Sequence, residues 1–163
     1  MQKITPCLWF DNQAEEAAEF YTSIFGNSKI THVSRYSESA AKKAGKAPGS
    51  ALTVTFQLEG QDFMALNGGP LFTFSPAISL MVTCETQEEI DRIWDRLSHD
   101  KASEQCGWLT DKYGVSWQIV PTALGRLMQD KDAGKVERVT KALLQMKKLD
   151  IAALRQAYEN DNS

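Results

Sequence analysis

The sequence predicts an α+β fold: two βαβββ modules, each a curved mixed sheet, followed by a helical extension. Three observations predict it. A strand, an amphipathic helix and further strands occur in that order twice, as a repeat of pattern with little identity. The strand segments alternate with period two and are punctuated by turns rich in Gly, Asp and Asn. After Pro121 the alternation stops and apolar residues fall at helical spacing. The expected boundaries are 1–121 for the paired modules, dividing near residue 70, and 122–163 for the extension.

Ile4 to Phe10 reads as the first strand, with Leu8 and Phe10 on one face and Thr5, Cys7 and Trp9 on the other. Asp11-Asn12 are expected to cap a helix over Gln13 to Phe25. Its stripe is Ala14, Ala17, Ala18, Tyr21, Ile24 and Phe25, and Gly26 stops it. Lys29 to Tyr36 is a second strand. The polar stretch Ser37 to Ser50 is expected to be an exposed loop. Ala51 to Leu58 and Asp62 to Asn67 alternate around Glu59-Gly60-Gln61 as a hairpin. The cycle restarts with a strand over Ala77 to Thr83. Thr86, with Glu89 three residues on, predicts a capped helix burying Ile90, Ile93, Trp94 and Leu97. Polar Ser98 to Gln105 follows.

The stretch GWLTDKYGVSWQIVP, Gly107 to Pro121, closes the second module. Asp111 to Gly114 is turn chemistry. Val115, Trp117 and Ile119 face one way; Ser116, Gln118 and Val120 face the other. Pro121 ends the strand because it has no N–H for a ladder. Three helices are then expected: Thr122 to Met128, Asp132 to Met146, and one capped by Asp150. The stripe Val136-Val139-Leu143-Met146 needs a surface to bury it, on the same chain or a partner.

The 163 residues, 42% hydrophobic and 24% charged, describe an ordinary globular chain. A net charge of −3 gives no general attraction to nucleic acid or anionic membrane. No apolar run approaches the ~20 residues of a bilayer span. The three cysteines form no metal or disulfide pattern, which with the absence of a leader predicts a reducing cytoplasm. Cys7 and Cys84 read as buried small apolar groups.

Several motifs resemble one family in order and spacing: FDNQAEEAAEFYTSIFG, ALNGGP, GWLTDKYGVSWQIVP and, in the tail, QMKKLDIAALRQAY. Together they are similar to the vicinal oxygen chelate superfamily of glyoxalases, dioxygenases and bleomycin-resistance proteins. The resemblance is to its PhnB-like branch, labelled 3-demethylubiquinone methyltransferase-like. It implies a glyoxalase-like fold, a ligand cleft and a homodimer. In metal-dependent members, strand residues of both modules hold a divalent metal. The positions matching those ligands here are Thr5, Leu66 or Asn67, Ala77 to Ser79, and Gln118, none of them His, Asp or Glu. The two histidines, His32 and His99, lie elsewhere. No metal and no cofactor are therefore expected, because an ordinary metal site needs imidazoles and charged oxygens.

The expected site is a partly apolar cleft lined by Thr5, Cys7, Trp9, Asn67, Ser79 and Gln118, taking a small organic ligand. Each residue also has a plain structural alternative. Gln118 is either ligand-facing or a satisfied structural amide. Trp9 either stacks on a flat ligand or fills space. Thr5 is a wall or simply a strand residue, and Asn67-Gly68-Gly69 is either an anion nest or a turn. Three functions remain open: a non-catalytic small-molecule binder, a divergent metal-independent enzyme with Cys7 as its possible nucleophile, and a methyltransferase. The binder is favoured, because the cleft positions offer amide, hydroxyl, thiol and indole groups but no acid or base. No segment shows the glycine-rich loop of a doubly wound nucleotide-binding sheet.

Overall fold

The computed structural model describes residues 2–160. The chain forms two compact units that divide between Phe74 and Ser75. The second unit contains the C-terminal helices as well as the second sheet.

The first unit runs β1 (Cys7–Phe10), α1 (Ala14–Thr22), β2 (Lys29–Arg35), α2 (Glu38–Ala44), β3 (Ala51–Leu58) and β4 (Gln61–Asn67). The sheet order is β1-β4-β3-β2, with β1 parallel to β4 and the other pairs antiparallel. One face buries Leu8, Phe10, Val54, Phe56, Phe63 and Ala65 with the α1 stripe of Ala14, Ala17, Ala18 and Tyr21. Phe56 stacks between Tyr21 and Phe63, at ring distances of 6.4 and 5.5 Å. The other face carries Cys7, Trp9, Met64, Leu66, Thr53 and Thr55, none of them buried.

Four details depart from the sequence expectation. The first strand starts at Cys7 rather than Ile4, because Pro6 has no N–H to donate. Ile4 is 86% exposed. The helix α1 is not capped by Asp11 or Asn12; the side chain that accepts from Ala14 N, at 2.8 Å, is Asn67 on β4. The expected loop at 37–50 contains α2, which starts at Ser37, whose Oγ accepts from Ala40 N, and stops at left-handed Gly45. Cys7 is exposed, not buried, whereas Cys84 is fully buried as expected.

The second unit runs β5 (Ser79–Cys84), α3 (Gln87–Leu97), β6 (Trp108–Thr110), β7 (Ser116–Pro121), α4 (Thr122–Met128), α5 (Ala133–Leu144) and α6 (Ile151–Glu159). Its sheet order is β5-β7-β6, with β5 parallel to β7. It follows the plan of the first sheet with one strand fewer. Where the first unit has β2, the second has a 3-10 turn at Lys101–Ser103 lying along β6. Thr110 O accepts from His99 N and Asp100 N, and Thr110 N donates to Ser103 Oγ, so this irregular segment satisfies the sheet edge.

The capped helix forms as expected: Thr86 Oγ1 accepts from Glu89 N, and Ile90, Ile93, Trp94 and Leu97 are buried. The extension is stitched into this unit. Cys106 N and Gly107 N donate to Met146 O and Lys147 O, and Gln87 bonds both Leu149 O and Ile151 N. Leu149 and Leu154 are buried, as is Val139 of the predicted stripe. Among the described residues no helix is long and apolar enough to cross a membrane.

Candidate functional site

The six candidate residues separate into three settings. The first is the open face of the first sheet. Cys7 and Trp9 pair in register with Met64 and Leu66, so all four lie on the face away from α1. Thr5 lies just before β1 and lines a shallow depression of about 280 Å³ with Thr31, Thr55, Asp62 and Met64. The Cys7 thiol is solvent-accessible, yet partial desolvation among its neighbours pushes it up from its ordinary value. That lowers the thiolate fraction at neutral pH.

Trp9 is held on three sides. Its Nε1 donates to Gly69 O at 2.8 Å, and Phe72 meets it edge-on at 4.9 Å. Gly68 lies directly against the indole: a Cβ there would sit 2.2 Å from Trp9 Cζ2. The Asn67-Gly68-Gly69 stretch therefore serves as the bed of an indole. Its amides are also engaged, Gly68 N with Phe10 O and Gly69 N with Asp11 O.

The second setting is Asn67, which lies apart from Cys7 and Trp9. It pairs with Phe10 and faces α1, opposite Cys7 and Trp9. Its Oδ1 accepts from Ala14 N at 2.8 Å and its Nδ2 donates to Ala51 O at 2.9 Å. Both ends of this amide, only 5% exposed, join β4 to α1 and β3. It therefore faces away from the Trp9 side of the sheet.

The third setting is the open face of the second sheet. Ser79, Met81 and Thr83 of β5 pair in register with Ser116, Gln118 and Val120 of β7. The opposite face is filled by Trp117 and Ile119, with the α3 stripe also buried. Gln118 Nε2 donates to Ser79 Oγ at 2.8 Å. Among the described residues, Gln118 Oε1 and the Ser79 hydroxyl hydrogen are not used by the protein. One acceptor and one donor thus stand side by side among the neutral side chains of β5 and β7.

The hairpin that positions Gln118 rests on Asp111, which the sequence suggests only as a turn residue. Its Oδ1 accepts from Tyr113 N and Val115 N, and its Oδ2 accepts from Trp117 Nε1 at 2.8 Å. Gly114 takes φ 86° to close the turn. Trp117, 2% exposed, is anchored from inside, so its neighbour Gln118 is aimed outward.

Among the described residues, no group of three or more His, Cys, Asp or Glu side chains is placed to hold a metal ion. The donors at the six candidate positions are neutral hydroxyl, amide, thiol and indole groups. They do not fit the metal centre that the wider superfamily implies.

Comparison with known proteins bears on the family and the fold. The family model described as 3-demethylubiquinone-9 3-methyltransferase matches residues 2–120. A Bacillus cereus PhnB protein, described by the same activity, is 44% identical over 74% of this chain and 100% of its own, with a TM-score of 0.63. A Staphylococcus aureus protein of solved structure is 32% identical over 73% of this chain and 95% of its own, with a TM-score of 0.34. PA1353 of Pseudomonas aeruginosa shares the fold, at 15% identity over 74% of this chain and 98% of its own, with a TM-score of 0.56. No curated protein matches the chain. On the family match and the Bacillus cereus relative, the chain belongs to the PhnB, or 3-demethylubiquinone-9 3-methyltransferase, family and carries its glyoxalase-like fold.

Proposed function

We propose that this PhnB-family protein binds a small organic molecule without a metal, on the open face of the second sheet. The observation that carries the reading is the Gln118–Ser79 pair, with one acceptor and one donor unspent beside the apolar side chain of Met81. Buried polar groups are costly without partners, so a ligand that covers this face must offer a matching donor and acceptor. An amide or a hydroxy-carbonyl group does so. Met81, 65% exposed, supplies adaptable apolar contact beside the pair.

The test is a thermal-shift screen of small organic fragments in EDTA. Hits are expected that raise the thermal midpoint of the wild type and lose that effect in Gln118→Ala. A screen in which hits act equally on wild type and variant removes the reading. A homodimer belongs to the same proposal; Leu71 and Phe72, 73% and 58% exposed, support it. Light scattering at the mass of one chain would count against it.

The family description favours a second reading, a methyltransferase. S-adenosylmethionine in the same screen separates the two. The binder reading expects no shift from it, and a saturable shift with methyl transfer to a quinol acceptor would replace that reading.

A further inference from the structure

The open face of the second sheet ends in a depression of about 430 Å³ against α4. Its walls are Met81, Val120 and Pro121, with Thr83, Arg126 and Gln129 as polar members. The volume lies in the range of small-ligand sites. The polar members differ in availability from the rest of the surface. Thr122 Oγ1, at the start of α4, is taken by Cys84 O and by Glu85 Oε1 at 2.8 Å. The Arg126 guanidinium, the Thr83 hydroxyl and the Gln129 amide have no side-chain partner among the described residues. The charge of the depression is therefore a single free cation beside an apolar wall.

We infer that this depression takes the anionic end of an amphipathic monocarboxylate of medium length, with its carboxylate on Arg126 and its apolar body along Met81 and Val120. Guanidinium and carboxylate match in shape, with two parallel N–H···O bonds available. Thr83 and Gln129 can add neutral hydrogen bonds to the same oxygens. Met81 and Gln118 are register partners, so the apolar body ends on Met81 and leaves the Gln118–Ser79 pair uncovered. The inference rests on the proposal that this face binds a small molecule, and it adds the chemical class.

The experiment titrates the full chain, labelled at backbone nitrogen and methionine methyls, with octanoate and with octan-1-ol at low ionic strength. Octanoate is expected to move the Met81 methyl and the Thr83 and Val120 amides. Octan-1-ol is expected to bind roughly fivefold more weakly, as one partly exposed ion pair warrants. Arg126→Gln should abolish the difference between the two probes, and Arg126→Lys should restore part of it. Added salt should weaken octanoate and leave octan-1-ol unchanged. Because Arg126 is exposed, its variants should keep the wild-type thermal midpoint. Equal binding of the two probes, or octanoate affinity untouched in Arg126→Gln, overturns the inference. So does a Met81 shift that follows protein concentration alone, which would place a second copy there. If octanoate fails while other fragments still move Gln118 and Ser79, the carboxylate class falls and the binding face stands. If no fragment moves either set, both fall.

Discussion

Replacing Gly68 with alanine tests how Trp9 is held. Gly68 is not in the left-handed region, so its backbone tolerates any residue and the effect is purely steric. The new methyl would lie 2.2, 2.4 and 2.5 Å from three atoms of the indole. No ring tolerates such approaches, so Trp9 must swing away. It then loses the bond from Nε1 to Gly69 O, about 1 kcal/mol, and the edge contact with Phe72, a further ~1 kcal/mol. A loss of about 2 kcal/mol lowers the thermal midpoint of a domain this size by roughly 4–8 °C. Calorimetry on Gly68→Ala, Trp9→Ala and the double variant reads it. In the Trp9→Ala background the Gly68 change should cost almost nothing, giving a coupling of about 2 kcal/mol. An unchanged midpoint in Gly68→Ala, or an equal loss in both backgrounds, would refute the clamp.

Asn67→Ala should cost about 2–3 kcal/mol in urea denaturation, because it strands a buried N–H on Ala14 and a carbonyl on Ala51; a cost below 0.5 kcal/mol would contradict the bridging role. Leu149→Ala, in the turn between α5 and α6, should cost about 2–4 kcal/mol, since Leu149 is 1% exposed within the second unit; a wild-type midpoint would make the extension decorative. Glu104 is held below the ordinary carboxylate range, first by Lys101 and then by Ser98. A depressed folded value adds stability above the unfolded value and loses it as pH falls through the folded one. The wild type should therefore outlast Glu104→Gln at pH about 7, and the gap should close below pH about 4; a gap constant with pH would disprove it. Adding Zn²⁺ or EDTA should leave the thermal midpoint unmoved, and one tightly held transition metal per chain by elemental analysis would restore a metalloprotein reading.

Most elements were legible because their signals are local. The alternation of Val115, Trp117 and Ile119 and the Thr86–Glu89 spacing each decide a conformation within a few residues, and both hold in the structure. The helix α2 was also locally encoded, by Ser37 ahead of an alanine-rich run and Gly45 behind it. Its polar composition hid it. The remaining misses are long-range. Asn67 lies 53 residues from the N–H it satisfies, and no spacing rule connects them. Its alternation with Leu66 puts it on the inner face only once the register with Phe10 is known. Asp111 looks like any turn aspartate until Trp117 folds back onto it. The edge segment along β6 is irregular, so it carries no period for a sequence to display. The Gln118–Ser79 pair was partly legible: both residues stood out by outward position, but their bond depends on parallel β5–β7 register.

The central claim is that the open face of the second sheet binds a small organic molecule through Gln118 and Ser79 without a metal. The most direct measurement is the chemical-shift map of the labelled full chain, in EDTA, with the best fragment from the thermal screen. Saturable shifts are expected at Ser79, Met81 and the Gln118 side-chain amide, all lost in Gln118→Ala. Shifts that cluster elsewhere, or that need added metal to occur, would contradict it.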